Sequence, residues 1–283
     1  MRASGAVLAP PDEPGTHACW RFDDDVAFHT AALEYLAGGL ARHERVLYLA
    51  SRDVDVLRRE VTPIGDVDRL VDDGALVLRS LADSYDEGAG FDPAAQVDAY
   101  RELIAEALGD GFSGIRVAAD VTTLVATEDA RRRFVQYELA VDHVMSTEPM
   151  SAMCAYDGRA IGPAVAELAA VHPLHHGCEG AEPAFQAFYD DGRLHLAGEV
   201  DLDSREVFAL VAEVAAWVDD PDVVIDVAAL GFVEARALAQ LARLATRLAA
   251  SGRHLRLVGA GPLVVRCGEL LGLHDLITWE AEA

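Results

Sequence analysis

Lysine is missing from this sequence of 283 residues, so all 23 of its basic residues are arginines. A phosphate-binding loop of the Walker type needs a lysine that reaches the phosphates. An enzyme that forms a Schiff base needs a lysine amine. The composition therefore excludes both kinds of chemistry.

Cysteines and basic residues are both scarce. The four cysteines are scattered and form no Cys-x-x-Cys pair, as is usual for a protein in a reducing compartment. The formal net charge is −25, and such a chain repels phosphate backbones. No apolar run reaches the length of about 18 residues that spans a membrane, and the N-terminus lacks a signal-peptide pattern. We therefore expect a cytoplasmic protein that binds neither nucleic acid nor membranes.

Apolar runs of strand length alternate with helical spacing, which predicts an α/β fold with a mainly parallel sheet flanked by helices. Residues 1–14, with three prolines, are interpreted as a flexible tail, and residues 15–172 as the first domain. Residues 173–184 contain Pro, Gly and Glu without periodicity and are predicted to be a linker. Residues 185–283 are predicted to form a smaller α/β domain that opens with a β-hairpin.

The second domain is organised around residues 223–238. A short apolar run over residues 223–227, interrupted only by Asp226, predicts a buried strand, and Gly231 marks a turn. Helical spacing begins at Glu234. The stretch thus predicts a strand, a tight loop and a helix whose N-terminus exposes backbone N–H groups.

This stretch resembles the signature of the STAS domain, the anti-sigma factor antagonist family. Family members that act as switches carry a phosphorylatable serine at the position of Ala235, so that chemistry is absent here. The resemblance implies that the partner is an anti-sigma factor of the histidine-kinase-like type or another STAS protein. The residues expected to contact it are Asp226, Phe232, Glu234, Ala235 and Arg236.

Glu234 has two interpretations. It is either an N-cap carboxylate that stabilises the helix by about 1 kcal/mol, or a group that reshapes the partner surface together with Arg236. In the second case it loosely imitates a phosphorylated loop, although one carboxylate lacks the charge and the acceptors of a phosphate.

Residues 36–51 resemble the segment that follows the phosphate loop in RecA-like ATPases. The resemblance places Phe28 and His29 where the loop lysine and hydroxyl residue would stand, and three aspartates, residues 23–25, where a triphosphate would lie. It therefore implies a RecA-like architecture that has lost its nucleotide site.

A closer resemblance, over roughly residues 17–173, is to the MEDS sensory domain. It implies a sensory role, with a ligand that is generally unknown for the family. The landmarks that carry it are His17, residues 39–40 with Glu44, Tyr48, residues 114–117, Tyr137 with Glu138, residues 154–157, and His172 with Pro173.

Polar residues within the strand and helix patterns of the first domain are candidates for a ligand pocket. Strand alternation places Arg116 and Asp120 on one face, and polar groups on the next helix and strand are expected to converge there. The alternative is an ion network inside the fold, because buried charges must be paired. The candidate residues are His17, Arg116, Asp120, Glu138, Tyr156, Asp157 and His172.

The densest group of possible metal ligands is formed by His172, His175, His176 and Cys178. Zinc favours His and Cys at short spacings, but a structural zinc site needs four ligands on a defined scaffold. Because this stretch is a predicted linker, we expect no metal and no cofactor. His17 and Cys19 are interpreted as core and pocket residues.

Together these patterns predict a non-enzymatic regulatory protein, in which the first domain senses and the second releases a sigma factor by binding its anti-sigma factor. Control is then expected from the first domain, from complex assembly or from expression level. One alternative is a scaffold in which the STAS domain stacks with other STAS domains. Another is an enzyme that uses the polar pocket, although the chain shows no nucleophile motif.

Overall fold

The structure, a computed structural model, describes residues 2–81, 91–218 and 220–280. Met1 and residues 281–283, which the predicted tail and second domain include, lie outside the described residues. The described residues form one larger and one smaller sheet, each packed with helices, which confirms the predicted α/β class. None of the helices within the described ranges is long and apolar enough to cross a membrane.

The first domain alternates strands with helices. Short 3₁₀ turns at Thr62–Ile64, Thr122–Val125 and Gly162–Ala164 lie between some of them. Its elements are β1 (Gly5–Ala6), β2 (His17–Phe22), α1 (Asp25–Ala41), β3 (Arg45–Ala50), α2 (Val54–Glu60), α3 (Val67–Asp72), β4 (Leu76–Ser80), α4 (Pro93–Gly109), β5 (Ile115–Asp120), α5 (Glu128–Thr147), β6 (Met150–Asp157), α6 (Gly158–Ile161), α7 (Val165–Ala169) and β7 (Leu174–His176).

The first sheet has the strand order β1-β7-β2-β6-β5-β3-β4, and neighbouring strands are parallel. Helix α1, capped by the Asp24 carboxylate, packs on one face of the sheet, and α4 and α5 pack on the other. In β5, Ala118 belongs to the α1 side, whereas Val117 belongs to the α5 side. Strand alternation therefore decides which helix each polar residue meets.

Two predicted irregular segments form strands. Within residues 1–14, β1 pairs with β7, and the Gly5 N–H donates to the Pro173 carbonyl at 2.8 Å. Strand β7 itself lies within residues 173–184, the predicted linker, and pairs with β2. Neither strand was expected from the sequence, because the edge of a sheet offers unpaired backbone groups to an extended segment whatever its side chains.

The second domain opens with the predicted hairpin, which the structure confirms. Asp191 and Gly192 have φ angles of 50° and 71°, as a tight turn between antiparallel strands requires. Its elements are β8 (Phe185–Asp190), β9 (Arg193–Val200), α8 (Arg205–Val214), β10 (Asp222–Val233), α9 (Ala235–Ala250), β11 (His254–Val258), α10 (Pro262–Leu270) and β12 (Thr278–Glu280). The strand order is β12-β11-β10-β9-β8.

Strand β10 is longer than predicted. The expected loop after residue 227 continues as strand, with register shifts beside β9 after Asp226 and after Leu230. The last residue of β10, Val233, still pairs with Val200. Gly231 lies within the strand as the extra residue of the second register shift, because Leu230 pairs with Gly198 and Phe232 with the next residue, Glu199.

The two domains share an apolar core along α5, which packs against β8 and α8. Polar contacts border this interface. Gln136 donates to Glu213 at 2.9 Å, and Arg132 forms an ion pair with Glu206 at 3.4 Å. The second domain is thus packed directly on the helix that also covers the first sheet.

Candidate functional site

Four side chains with metal-ligand or acid–base chemistry converge on the α5 side of the first sheet. His17 opens β2, Cys154 lies within β6, Glu138 lies on α5, and His172 follows α7. All four are buried, and one nitrogen, sulfur or oxygen atom of each lies within 4.8 Å of those of the other three. We refer to these residues as the His–Cys–Glu cluster.

Strand and helix periodicity bring the cluster together. His17 and Cys19 alternate to the α5 side of β2, and Cys154 does the same in β6, where it pairs with Cys19. Glu138 and Asp142 are four residues apart on α5, so both point toward the sheet. Each side chain therefore reaches the cluster from regular structure.

Hydrogen bonds hold Glu138 and His17 in place. The Tyr156 hydroxyl donates to Glu138 Oε1 at 2.7 Å, and Glu138 Oε2 lies 3.2 Å from His17 Nε2. On the other side of the ring, His17 Nδ1 lies 3.1 Å from Asp142 Oδ1. Arg2 also donates to Asp142 Oδ1 at 2.9 Å. The imidazole of His17 thus lies between two carboxylates.

His172 is held by its backbone-facing nitrogen. Its Nδ1 lies 2.7 Å from the Leu168 carbonyl, which accepts hydrogen bonds only, so Nδ1 carries the hydrogen. Its Nε2 is buried, has no hydrogen-bond partner among the described residues, and lies 3.7 Å from Glu138 Oε2. The His172 ring lies 4.0 Å from that of His17. The free nitrogen is therefore directed into the cluster.

The surroundings shift the pKa values of the cluster in opposite directions. Burial alone would lower the pKa of His17, but hydrogen bonds with Asp142 and Glu138 raise it above its usual value. Burial, together with the neighbouring His17, lowers the pKa of His172 to about 4. Burial alone would raise the pKa of Glu138, but the imidazoles of His172 and His17 and the Tyr156 hydroxyl hold it below its usual value.

Arg116 lies on the opposite face of the sheet from the cluster. Its guanidinium is fully buried, donates to Glu44 at 2.6 Å and to the Asp12 carbonyl at 2.9 Å, and stacks on Tyr35. This is the internal ion network of the alternative interpretation. Arg116 does not reach Glu138, because strand alternation turns it toward α1.

Asp120 and Asp157 lie at the carboxyl ends of β5 and β6. Asp120 accepts a hydrogen bond from the Thr122 hydroxyl at 2.7 Å, and this hydroxyl in turn accepts one from the Asp157 backbone N–H at 2.9 Å. The Asp157 carboxylate is paired with Arg159 at 2.8 Å, which lowers its pKa. The seven predicted pocket residues are therefore distributed over three places, and only His17, Glu138, Tyr156 and His172 come together.

The possible metal ligands within residues 172–178, where no metal was expected, are also separated. The His176 ring stacks on Trp20 at 3.7 Å, and its Nδ1 lies 2.9 Å from the Val7 carbonyl. Only His172 of this group joins the His–Cys–Glu cluster. Cys154 and Asp142 were not among the predicted site residues, although Cys154 belongs to the landmark at residues 154–157 and Asp142 lies one helical turn after Glu138.

The predicted partner residues of the second domain lie at the end of β10 and the start of α9. Phe232 is 41 % exposed, and Ala235 and Arg236 are also exposed. Glu234 occupies the N-cap position but makes no side-chain cap, and its Oε1 is buried with no hydrogen-bond partner in residues 2–81, 91–218 and 220–280. Asp226 is turned away from this surface, since it accepts from the Ala228 N–H and faces His195.

A groove of about 350 Å³ lies between α8 and α9 beside these exposed residues. Three arginines, Arg205, Arg236 and Arg243, line it together with Glu206 and Gln240. In a chain with a net charge of −25, this group of arginines is a local positive surface. It is therefore suited to an acidic surface of another protein.

Two family models match the chain. Residues 16–173 match the model described as the methanogen/methylotroph, DcmR sensory domain, MEDS. Residues 184–278 match the model described as Mlab, STAS domain. The comparison with curated proteins found no match. Residues 174–183, which contain β7, lie between the two matched stretches.

Proposed function

Because this chain belongs to the MEDS family and carries a STAS domain behind the MEDS domain, we propose that it is a regulatory protein without enzymatic activity. Its first domain senses a signal, and its second domain binds an anti-sigma factor of the histidine-kinase-like type. The binding releases a sigma factor. A STAS domain indicates a signalling role, and the anti-sigma factor is the class of partner that we propose for it.

The exposed end of β10 carries this proposal. Phe232 offers an aromatic side chain to a partner, and Arg236 offers a charge from the first turn of α9. Aromatic residues and arginine are the side chains that most often dominate binding energy at protein interfaces. The surface therefore combines an apolar anchor with the arginines of the neighbouring groove.

Control of this surface is proposed to come from the first domain. Ala235 has no hydroxyl to phosphorylate, and Glu234 holds one carboxylate oxygen inside the fold, which argues against imitation of a phosphate. In contrast, α5 carries Glu138 of the His–Cys–Glu cluster and also packs against β8. A structural change at the cluster would therefore be transmitted to the STAS domain through α5.

The test uses the full chain as a tagged bait in host lysate, with captured proteins identified by mass spectrometry and their affinity then measured with purified partner. We expect a histidine-kinase-like anti-sigma factor. Phe232→Ala and Arg236→Ala should each weaken its binding at least about tenfold, because each removes an exposed anchor. Leu108→Ala and Arg59→Ala are matched controls, since both residues are exposed on the first domain.

Unchanged affinity in both β10–α9 variants would contradict the assigned surface. A second candidate function is a scaffold built from STAS domains, favoured by apolar side chains exposed near the far edge of the second sheet. Leu263 and Leu270 of α10 are 60 % and 71 % exposed. A large, stable assembly in size-exclusion chromatography that dissociates in a Leu263→Ser, Leu270→Ser variant would support the scaffold.

A further inference from the structure

We propose that His17, Glu138, Cys154 and His172 bind one zinc-type divalent metal ion. Two imidazoles, a thiolate and a carboxylate form a ligand set that zinc accepts in tetrahedral sites. Softer cations prefer more sulfur, and magnesium or calcium prefer oxygen alone. This inference goes beyond the sensory role, and it does not depend on what the STAS domain binds.

The spacing of the cluster matches a tetrahedron around an ion. Bond lengths of about 2.0–2.3 Å place the ligand atoms of a tetrahedral zinc site roughly 3.3–3.8 Å apart. Glu138 Oε2 lies 3.2 Å from His17 Nε2, 3.5 Å from Cys154 Sγ and 3.7 Å from His172 Nε2. Cys154 Sγ lies 3.7 Å from His17 Nε2. Four of the six distances between ligand atoms are therefore close to those of a tetrahedral site, and all six are within 4.8 Å.

The outer partners orient the ligands as a metal site requires. Metal-binding histidines usually donate their other ring N–H to a carboxylate or a carbonyl, which fixes the tautomer that coordinates. His17 Nδ1 faces Asp142, and His172 Nδ1 faces the Leu168 carbonyl. Glu138 is held by the Tyr156 hydroxyl through the oxygen that faces away from the cluster centre. All three positions are fixed without using the atoms that would bind the ion.

Hydrogen bonds within the protein give three members of the cluster a polar partner, but they give none to His172 Nε2 among the described residues. The Cys154 thiol lies within reach of Glu138, and a doubly protonated His17 would bridge Glu138 and Asp142. Within the part of the chain that the structure describes, His172 Nε2 remains without a hydrogen-bond partner although it is fully buried. A buried polar atom without a partner destabilises the fold, because it has lost its hydrogen bonds to water. A metal ion would bond this nitrogen and remove that cost.

The experiment measures metal in the full chain by two readouts. The protein is unfolded in urea with a chelator, refolded with Zn²⁺ or without it, and desalted, so that access to the buried cluster is not limiting. Elemental analysis should then find one zinc per chain. Refolding with Co²⁺ should give the visible bands of tetrahedral cobalt and a thiolate-to-cobalt charge-transfer band, which reports Cys154 directly.

Matched variants separate this cluster from the neighbouring histidines and cysteines. Cys154→Ser should abolish the charge-transfer band, and His172→Gln should lower zinc affinity at least about tenfold. His175→Gln and Cys178→Ser lie in the same stretch but outside the cluster, and both should retain one zinc per chain. Circular dichroism establishes that each variant is folded.

Absence of stoichiometric zinc in the refolded wild-type chain would overturn the proposal. The same conclusion follows if Cys154→Ser keeps the charge-transfer band while Cys178→Ser loses it. A variant that fails to fold is replaced by Glu138→Gln, which retains shape and the hydrogen bond from Tyr156. This variant should lose zinc affinity but keep the fold.

Discussion

Arg116 and Glu44 are buried together beneath α1, where water does not screen their charges. Arg116 has no exposed surface, and Glu44 is 6 % exposed. Each charge is tolerated because the other lies at 2.6 Å and because Arg116 also stacks on the Tyr35 ring. The stability of this region therefore depends on the pair more than on either side chain.

We expect Arg116→Met to lower the free energy of unfolding by about 3–5 kcal/mol, because it leaves the Glu44 carboxylate buried without its cation. Urea unfolding measures this change. The double variant Arg116→Met, Glu44→Leu should be less destabilised than Arg116→Met alone, because it removes both charges. If the double variant is instead the less stable of the two, the two charges are not energetically coupled.

At the scale of elements, β9 and β10 meet where the predicted loop continues as strand. Gly198 of β9 pairs with Leu230 and has a φ of +89°. A Cβ at this position would lie 2.5 Å from the Ala184 carbonyl oxygen. Glycine is therefore required here both by the backbone conformation and by the close approach of the chain that enters β8.

Gly198→Ala should lower the free energy of unfolding by about 1–3 kcal/mol, since it forces a side chain into a left-handed conformation against backbone. Gly109→Ala, at the end of α4, is the control, because a Cβ there meets no atom within 4 Å. That change should be neutral or stabilising by up to about 1 kcal/mol. Equal urea midpoints for the two variants would contradict the strain at Gly198.

At the scale of the whole molecule, α5 joins the two domains through Asp142. This carboxylate, fully buried, lies 3.1 Å from His17 Nδ1 and accepts the Tyr189 N–H of β8 at 2.6 Å. The Gln186 side chain also donates to the His172 carbonyl at 3.0 Å. The first strand of the STAS domain is thus hydrogen-bonded to His172, a member of the His–Cys–Glu cluster, and to Asp142, which contacts His17.

We expect Asp142→Asn to lower the free energy of unfolding by about 3 kcal/mol. Arg2, His17 and the Tyr189 N–H now share the two oxygens of a charged carboxylate, whereas an amide is neutral and offers them a single oxygen. Hydrogen exchange should accelerate in β2 and in β8 together, since both lose a partner. Asp55→Asn, an exposed position on α2, is the control and should leave both strands protected. Faster exchange in β2 alone would show that Asp142 does not join the domains.

Local patterns were sufficient for the elements whose side chains make them recognisable. The apolar run of β3 and the Asp-Asp-Gly-Arg turn predict their structures directly, because strand burial and turn chemistry depend on neighbouring residues. β1, β7 and the end of β10 were not predicted. Their strand conformation depends on backbone partners that are distant in the sequence.

The sequence by itself determined the two α/β domains, the missing lysine chemistry and the absence of a hydroxyl at Ala235, because these follow from composition and local order. The tertiary structure alone decided which polar residues meet. It turned Arg116 toward α1, brought Cys154 beside His17 and His172, and placed Asp142 against β8. The physical reason is that the packing of helices on each face of a sheet decides which side chains come together. That packing depends on residues distant in the sequence, so no local pattern predicts it.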